Sequence, residues 1–368
     1  MDEERKYWVG FSVFPGIGPV RFKLLYDYFG SAKAAWEAPL TELKKIRLGE
    51  KLSEEFDHFR KTFQLNDYLQ QLEKLHVAVL LLSDPKYPKL LKETSDAPFL
   101  LYVKGRRTDK PLNLDKTIAV VGTRKVSRYG VEVTQKIVSD LVAYGFTIVS
   151  GMAYGVDAVA HQAALDAGGK TIAVLGCGID IIAPPSNARL YRTIGEGGGG
   201  AIVSEMPLGL RPTKGLFPAR NRIISGLSLG VLVTEGADDS GALITARNAA
   251  EQGREVFAVP GPITSSYSRG PAKLIKQGAK LVENVEDILE ELGISNSSKS
   301  GKASCLARTR GETKEEQKIL DCLLRERKHI DEIVREIHLT ISETAATLTV
   351  LEMKGVIKDY GEKVYGLA

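Results

Sequence analysis

Several things are scarce in this chain. Its 368 residues hold three cysteines, Cys177, Cys305 and Cys322, far apart and none in a C-x-x-C pair. That excludes a disulfide scaffold and a zinc module, and it fits a reducing cytoplasm. No apolar run reaches the roughly 18 residues of a membrane span, so no membrane contact is expected. The opening Met1-Asp2-Glu3-Glu4-Arg5-Lys6 is charged, so no signal peptide is expected either. Both common phosphate fingerprints, G-x-G-x-x-G and G-x-x-x-x-G-K-[ST], are missing. NAD and ATP are therefore unsupported, and no cofactor is expected. Charge of one sign is scarce too: the net charge is +4, against 43% apolar and 26% charged residues. A whole-protein electrostatic footprint for nucleic acid is absent, so any anion site must be local.

The distribution of charge locates one. Residues 1–111 sum to +3, 112–292 to zero, 293–311 to +4 and 312–368 to −3. Between Glu205 and Glu235 there is no acidic residue at all, and the interval holds Arg211, Lys214, Arg220 and Arg222. Phe217 stands between Lys214 and Arg220, just before Pro218. A stacking face beside phosphate ligands is what a single-stranded nucleic acid needs. The alternative for Phe217 is a core side chain.

The length fits two or three domains. Residues 6 to about 82 read as helical, with Phe22, Leu25, Tyr26 and Phe29 at helical spacing. Before them, Pro15-Gly16-Ile17-Gly18-Pro19 resembles the hairpin of SAM-like and helix-hairpin-helix modules; it is either a phosphate-facing turn or a plain interhelical one. Pro85, Pro88 and Pro98 predict a linker, so a helical domain is expected over 1–84. From 85 to 292, short Val/Ile-rich runs alternate with helix-length segments. The predicted strands are Thr117–Val121, Thr147–Ser150, Thr171–Leu175, Ala201–Ser204, Gly230–Thr234, Val256–Val259 and Lys280–Val282. The fold class is α/β, a Rossmann-like doubly wound parallel sheet. Residues 293–311 are Ser/Gly/Lys-rich and predict a flexible linker. Residues 312–368 predict helices over Lys314–Arg325, Ile330–Ile337 and Ser342–Lys354, then a hairpin, with Ser342 as N-cap: a winged helix.

Ligands bind such sheets at the carboxyl ends of the strands. There the first strand gives Gly122, which lets backbone approach an anion, and then Arg124, a bidentate phosphate ligand. In the loop after the second strand, Asp157 and His161 lie one helical turn apart. They read as hydrogen bonds that fix the loop rather than as a catalytic or metal pair, because no third ligand follows at useful spacing. A further Gly-rich loop, Thr234–Thr245, also opens a helix in an anion-binding geometry, but its acids make it poorer for phosphate, and a structural turn is an equal reading.

Taken in order, these motifs resemble one family, DNA-processing protein A (DprA, also called Smf). The matching residues are Val121-Gly122-Thr123-Arg124, Ser150-Gly151-Met152-Ala153-Tyr154-Gly155-Val156-Asp157, Gly176-Cys177-Gly178-Ile179-Asp180, Ser204-Glu205, Phe217 through Ser228, Ser240-Gly241-Ala242-Leu243 and Pro260-Gly261. They span about 85 to 292; the flanking SAM-like and winged-helix domains fit more loosely. Thr123 stands where the family often has serine, and both carry a hydroxyl. The resemblance implies a cytoplasmic, non-enzymatic protein that binds single-stranded DNA in natural transformation and helps load RecA. It implies a homodimer through the Rossmann-like domain, and single-strand binding protein is a further expected partner. The family's pocket arginine, lysine and phenylalanine fall on Arg124, Lys214 and Phe217. Gly122, Arg220, Asn221 and Arg222 complete the expected single-strand-binding set. The third helix of the winged helix has Lys354 as its one base, so a protein-contact role is expected ahead of duplex binding. The competing classes are a nucleotide hydrolase of the lysine-decarboxylase-like group, whose P-G-G-x-G-T-x-x-E signature is absent, and a pure interaction scaffold.

Overall fold

The computed structural model describes residues 3–46, 48–105, 115–294, 313–323 and 327–367. The chain divides into two compact units, Met1–Asn296 and Ser297–Ala368. Most of the linker expected at 293–311, Cys305 included, lies outside the described residues.

Six helices open the first unit: α1 (Glu3–Val13), α2 (Pro19–Phe29), α3 (Ala32–Glu37), α4 (Leu40–Leu43), α5 (Glu50–Thr62) and α6 (Leu65–Lys74). Aromatic packing holds them together. Phe11 stacks on Phe56 at 5.0 Å and Phe22 on Phe99 at 4.1 Å, and such pairs add about 0.5–1.5 kcal/mol beyond the area they bury. The Gly-x-Gly hairpin turns at Gly16 (φ +103°), and Pro19 starts α2. Arg21 donates to the Gly16 carbonyl at 2.6 Å. Phe99 precedes the second strand, so helices and sheet share one core.

The reading of 75–104 is corrected. Ala78–Leu81 is a strand, β1, and Leu100–Lys104 is its antiparallel partner β2. The stretch expected as a linker carries α7 (Lys89–Lys92) and buries Tyr87 and Leu91. The boundary expected at residue 84 thus falls just past a strand of the main sheet. Apolar runs of four or five residues are too short for periodicity to separate strand from helix.

The other strands match expectation to within one residue: β3 (Thr117–Val121), β4 (Thr147–Ser150), β5 (Thr171–Leu175), β6 (Gly200–Ser204), β7 (Gly230–Val233), β8 (Glu255–Ala258) and β9 (Lys280–Leu281). The order is β1-β2-β6-β5-β4-β3-β7-β8-β9, with every pair from β6 to β9 parallel and β2 antiparallel to β6. Alternation within β3 shows why both faces must be covered. Ile118 and Val120 pack toward α8 (Arg128–Ala143) and α9 (Val156–Asp166). After α10 (Ala188–Gly195), which follows β5, come α11 (Leu216–Gly226) and α12 (Ala242–Glu251), and Ala119 and Val121 pack toward these two. The chain runs from β3 out to β6, then returns to place β7 beside β3. The carboxyl ends of β3 and β7 therefore form a topological switch point.

The second unit has helices Lys314–Leu323, Ile330–Ile337 and Ile341–Met353 around a core that includes Ile319, Leu320, Ile333, Leu348 and Leu351. Its three-stranded sheet places Val364–Leu367 between Lys328–His329 and Ile357–Asp359. The expected cap is corrected: Thr340, not Ser342, caps the third helix, in a capping box with Glu343. Among the described residues no helix is long and apolar enough to cross a membrane.

Candidate nucleic-acid interface

All parallel strands end at one edge, and the loops there bring distant residues together. After β3 the chain is pinned on both sides. Thr123 N–H donates to the Glu235 carbonyl at 2.7 Å, and the Thr123 carbonyl accepts from Val156 N–H at 3.1 Å. Gly122 makes this fit possible, since a Cβ there would lie 2.6 Å from the Val156 side chain and 2.7 Å from the Glu235 carbonyl oxygen. Arg124 emerges from this fixed turn into solvent.

The acid-free loop after β6 is held as firmly. Leu208 N–H donates to the Tyr68 hydroxyl of α6 at 2.8 Å, and Gly178 N–H donates to the Leu210 carbonyl at 2.8 Å. The loop ends at exposed Lys214 and Gly215, and Phe217 lies in the first turn of α11. Phe217 is half-buried and rests above Gly176, the residue after β5, where a Cβ would meet the ring at 3.4 Å. The guanidinium carbon of Arg124 stands 5.2 Å from the centre of the Phe217 ring. A cation over an aromatic face at this distance is attractive by about 0.5–1 kcal/mol at an exposed site. One small area thus presents an aromatic face and an arginine, and an exposed lysine stands three residues before the ring in the chain.

The other predicted site residues point elsewhere. Arg220 is 4% exposed and donates to the carbonyls of Gly151 and Val174. It ties α11 to the ends of β4 and β5. Arg222 pairs with Glu205 and Asp96 and donates to the Asp96 carbonyl at 2.7 Å. Asn221 accepts from Arg220 Nε at 3.2 Å and donates to the Gly241 carbonyl, which precedes α12. All three side chains are thus taken up by partners within the fold.

Asp157 and His161 fix their loop, as expected. The Asp157 carboxylate accepts from the N–H groups of Gly151 and Ala153 at 3.1 and 3.3 Å. Burial raises its pKa above the usual carboxylate value, against the pull of Arg220. His161 donates from Nδ1 to Thr171, whose own hydroxyl is given to the Ile148 carbonyl, and its Nε2 accepts from Met152 N–H at 3.4 Å. Burial pushes its pKa down to about 3. Cys177, also buried, has its thiol pushed up to about 11 by burial, which keeps it protonated and unreactive. No group of three or more His, Cys, Asp or Glu among the described residues could hold a metal ion.

Comparison with known proteins identifies the family. The family model described as DNA recombination-mediator protein A matches residues 78–293, and that of the DprA winged helix domain matches residues 307–361. The chain belongs to the DNA recombination-mediator protein A family. Protein Smf of Synechocystis is 40% identical over 294 residues, which cover 79% of this chain and 73% of that one. DNA processing protein DprA of Bacillus subtilis is 44% identical over 211 residues, 57% of this chain and 70% of the relative. The crystal structure of DNA processing protein A from Streptococcus pneumoniae aligns over 79% of this chain and 98% of its own, with 36% identity and a TM-score of 0.66. A second structure, from Helicobacter pylori and described for its single-stranded DNA binding mode, covers 59% of this chain and 96% of its own, with 30% identity and a TM-score of 0.52.

Within this DprA fold the switch point is filled from inside. Glu235 follows β7 and is 3% exposed. Its carboxylate accepts from Ser127 N–H at 2.9 Å and from Ser127 Oγ at 2.5 Å, at the N-terminus of α8. Gly130 leaves room for it, since a Cβ there would fall 2.1 Å from Glu235 Oε2. In dinucleotide-binding sheets a pyrophosphate takes the equivalent position. Of the acids that weaken the 234–245 loop as a phosphate site, Glu235 is the one that matters. Its position directly after the strand beside β3 was the available signal, but strand order is not visible in sequence.

Proposed function

We propose that this chain is a cytoplasmic single-stranded DNA-binding recombination mediator, which protects incoming strands in natural transformation and loads RecA onto them. The observation that carries the reading is Arg124 lying over the Phe217 ring at one sheet edge, with exposed Lys214 three residues before that ring in the chain. Backbone phosphates would sit on Arg124 and Lys214 and a base on the Phe217 ring, each stacked base contributing about 1–3 kcal/mol. Arg124 lies over that ring at 5.2 Å, so a base stacked on the ring would have the guanidinium beside it for its phosphate. Arg220, Asn221, Arg222 and Gly122 serve this site by holding it. The description of the Helicobacter pylori relative supports the single strand as ligand. A homodimer through the Rossmann-like unit, RecA, and single-strand binding protein as a further partner belong to the same proposal and rest on the family likeness.

The competing nucleotide-hydrolase reading is opposed by Glu235, whose carboxylate already holds the helix N-terminus that a nucleotide phosphate would take. For the winged helix, a protein-contact role is supported by Val350 and Met353, exposed apolar neighbours one turn apart on its third helix. Lys354, just after that helix, reaches Glu316 at 2.8 Å.

The test is titration of a fluorescent oligothymidylate and of the matching duplex across a salt series, with wild type and Lys214→Ala. The expected result is preference for the single strand, with a salt slope that falls by about 0.7 in the variant, as for loss of one phosphate contact on a single strand. Equal binding to the duplex, or an unchanged slope in Lys214→Ala, would reject the pocket.

A further inference from the structure

The loop that joins β4 to α9 is built with unusual care for five residues. All its polar backbone groups named above are engaged, and both Met152 O and Ala153 O also accept from Asn187 Nδ2 at 2.9 and 3.3 Å. Met152 sits in the left-handed region (φ +59°), which costs a non-glycine residue free energy and persists only where surroundings enforce it. Gly155 (φ +72°) presses its backbone on the next loop: a Cβ there would lie 2.2 Å from the Thr123 carbonyl oxygen and 2.7 Å from the carbonyl carbon of Arg124. Every residue of the loop is buried or half-buried except one. Tyr154 is 50% exposed.

A rigid, strained loop that presents a single aromatic to solvent is built to hold that ring in place. Its position gives the ring a use. β4 lies between β3 and β5 in the sheet. The Tyr154 loop therefore stands between the turn that carries Arg124 and the Gly176 turn on which Phe217 rests. We propose that Tyr154 is a second stacking platform for single-stranded DNA, taking a base neighbouring the one on Phe217. This rests on the reading of the Arg124–Lys214–Phe217 pocket given above. A rigid aromatic supplies contact area at little conformational cost, and every base has a face to stack on it.

The test uses the full chain and a fluorescent oligothymidylate, comparing wild type, Tyr154→Ala, Tyr154→Phe and Lys214→Ala. Tyr154→Ala is expected to weaken binding about 5- to 150-fold, the span given by stacking one base. Its salt slope should stay at the wild-type value, because no charge is removed. Tyr154→Phe should bind as wild type does. A 2-aminopurine scanned along the oligonucleotide should be quenched at two positions in wild type and at one in Tyr154→Ala. The inference is overturned if Tyr154→Ala keeps wild-type affinity and both quenched positions while Lys214→Ala loses binding. It is also overturned if the Tyr154→Ala salt slope falls, since that would assign the effect to a displaced Arg124. If Lys214→Ala binds as tightly as wild type with an unchanged slope, the pocket itself fails and this inference falls with it.

Discussion

The two ends of one short basic segment behave in opposite ways. At its start, Lys214 is exposed, and Phe217 meets an exposed Arg124 from across the sheet edge. A turn later, Arg220 and Arg222 face inward, one onto backbone carbonyls and the other onto two carboxylates. The charges are alike and separated by only a few residues. The difference is burial. A guanidinium taken out of water is tolerated only with its donors satisfied, and those partners fix its position; it then becomes a strut. An exposed ammonium keeps its hydration until a polyanion displaces it. Charge along a sequence therefore marks where an anion site can be, while burial decides which of the charges serve it.

The sharpest way to break this contrast is at the inward end. Arg220→Ala leaves the Gly151 and Val174 carbonyls without that donor and the buried Asp157 without its nearby positive charge. Removing one partner of a buried charged network costs about 3–5 kcal/mol. Urea unfolding should show that loss, and Arg220→Lys should recover only part of it, since an ammonium lacks the planar fork that spans both carbonyls. A stable Arg220→Ala variant with weakened DNA binding would instead make Arg220 a ligand residue and erase the distinction. At the outward end the expected effect is smaller and of another kind. Phe217→Ala should lose about 1–3 kcal/mol of single-strand affinity and keep the wild-type salt slope. A variant that unfolds but binds normally when folded would return Phe217 to the core.

The sequence carried much of this fold because strands buried on both faces read as short Val/Ile runs, and seven of them were placed within one residue. It missed β1 and β2, whose runs are Leu-rich rather than Val/Ile-rich and so read as helix or linker, with prolines between them. At the site, Arg124, Lys214 and Phe217 were legible as an arginine after a strand and an aromatic in an acid-free interval. Arg220, expected among the binding residues, is buried, and the sequence holds a signal for that. It lies three, four and seven residues before Ile223, Ile224 and Leu227, on the buried stripe of α11. Grouping it by charge with Lys214 hid its register with the isoleucines. Glu235 and Tyr154 depend on which loops are neighbours, and that is a property of strand order alone.

The smallest effect tests, through pH, the buried imidazole whose charge Arg220 disfavours. His161 has a folded pKa of about 3, against roughly 6.5 in the unfolded chain. As pH falls below 6.5 the unfolded chain binds a proton that the folded chain does not. Stability from this group is thus full above pH 6.5 and is lost progressively down to about pH 3. Between pH 7.5 and 5.5 the loss is about 1.4 kcal/mol. Asp157 acts with the opposite sign, because its raised pKa lets the folded chain take up a proton first. The comparison that isolates His161 is therefore wild type against His161→Gln, with Asp157 present in both. Urea unfolding at the two pH values should show a steeper fall in wild type. Equal profiles would mean that the imidazole is not held neutral, and Met152 would then owe its left-handed backbone to something other than the His161 acceptor. A steeper fall in wild type ties the two ends of the comparison together. The same proton that costs stability would turn Nε2 from an acceptor into a donor facing Met152 N–H, and so would loosen the loop that presents Tyr154.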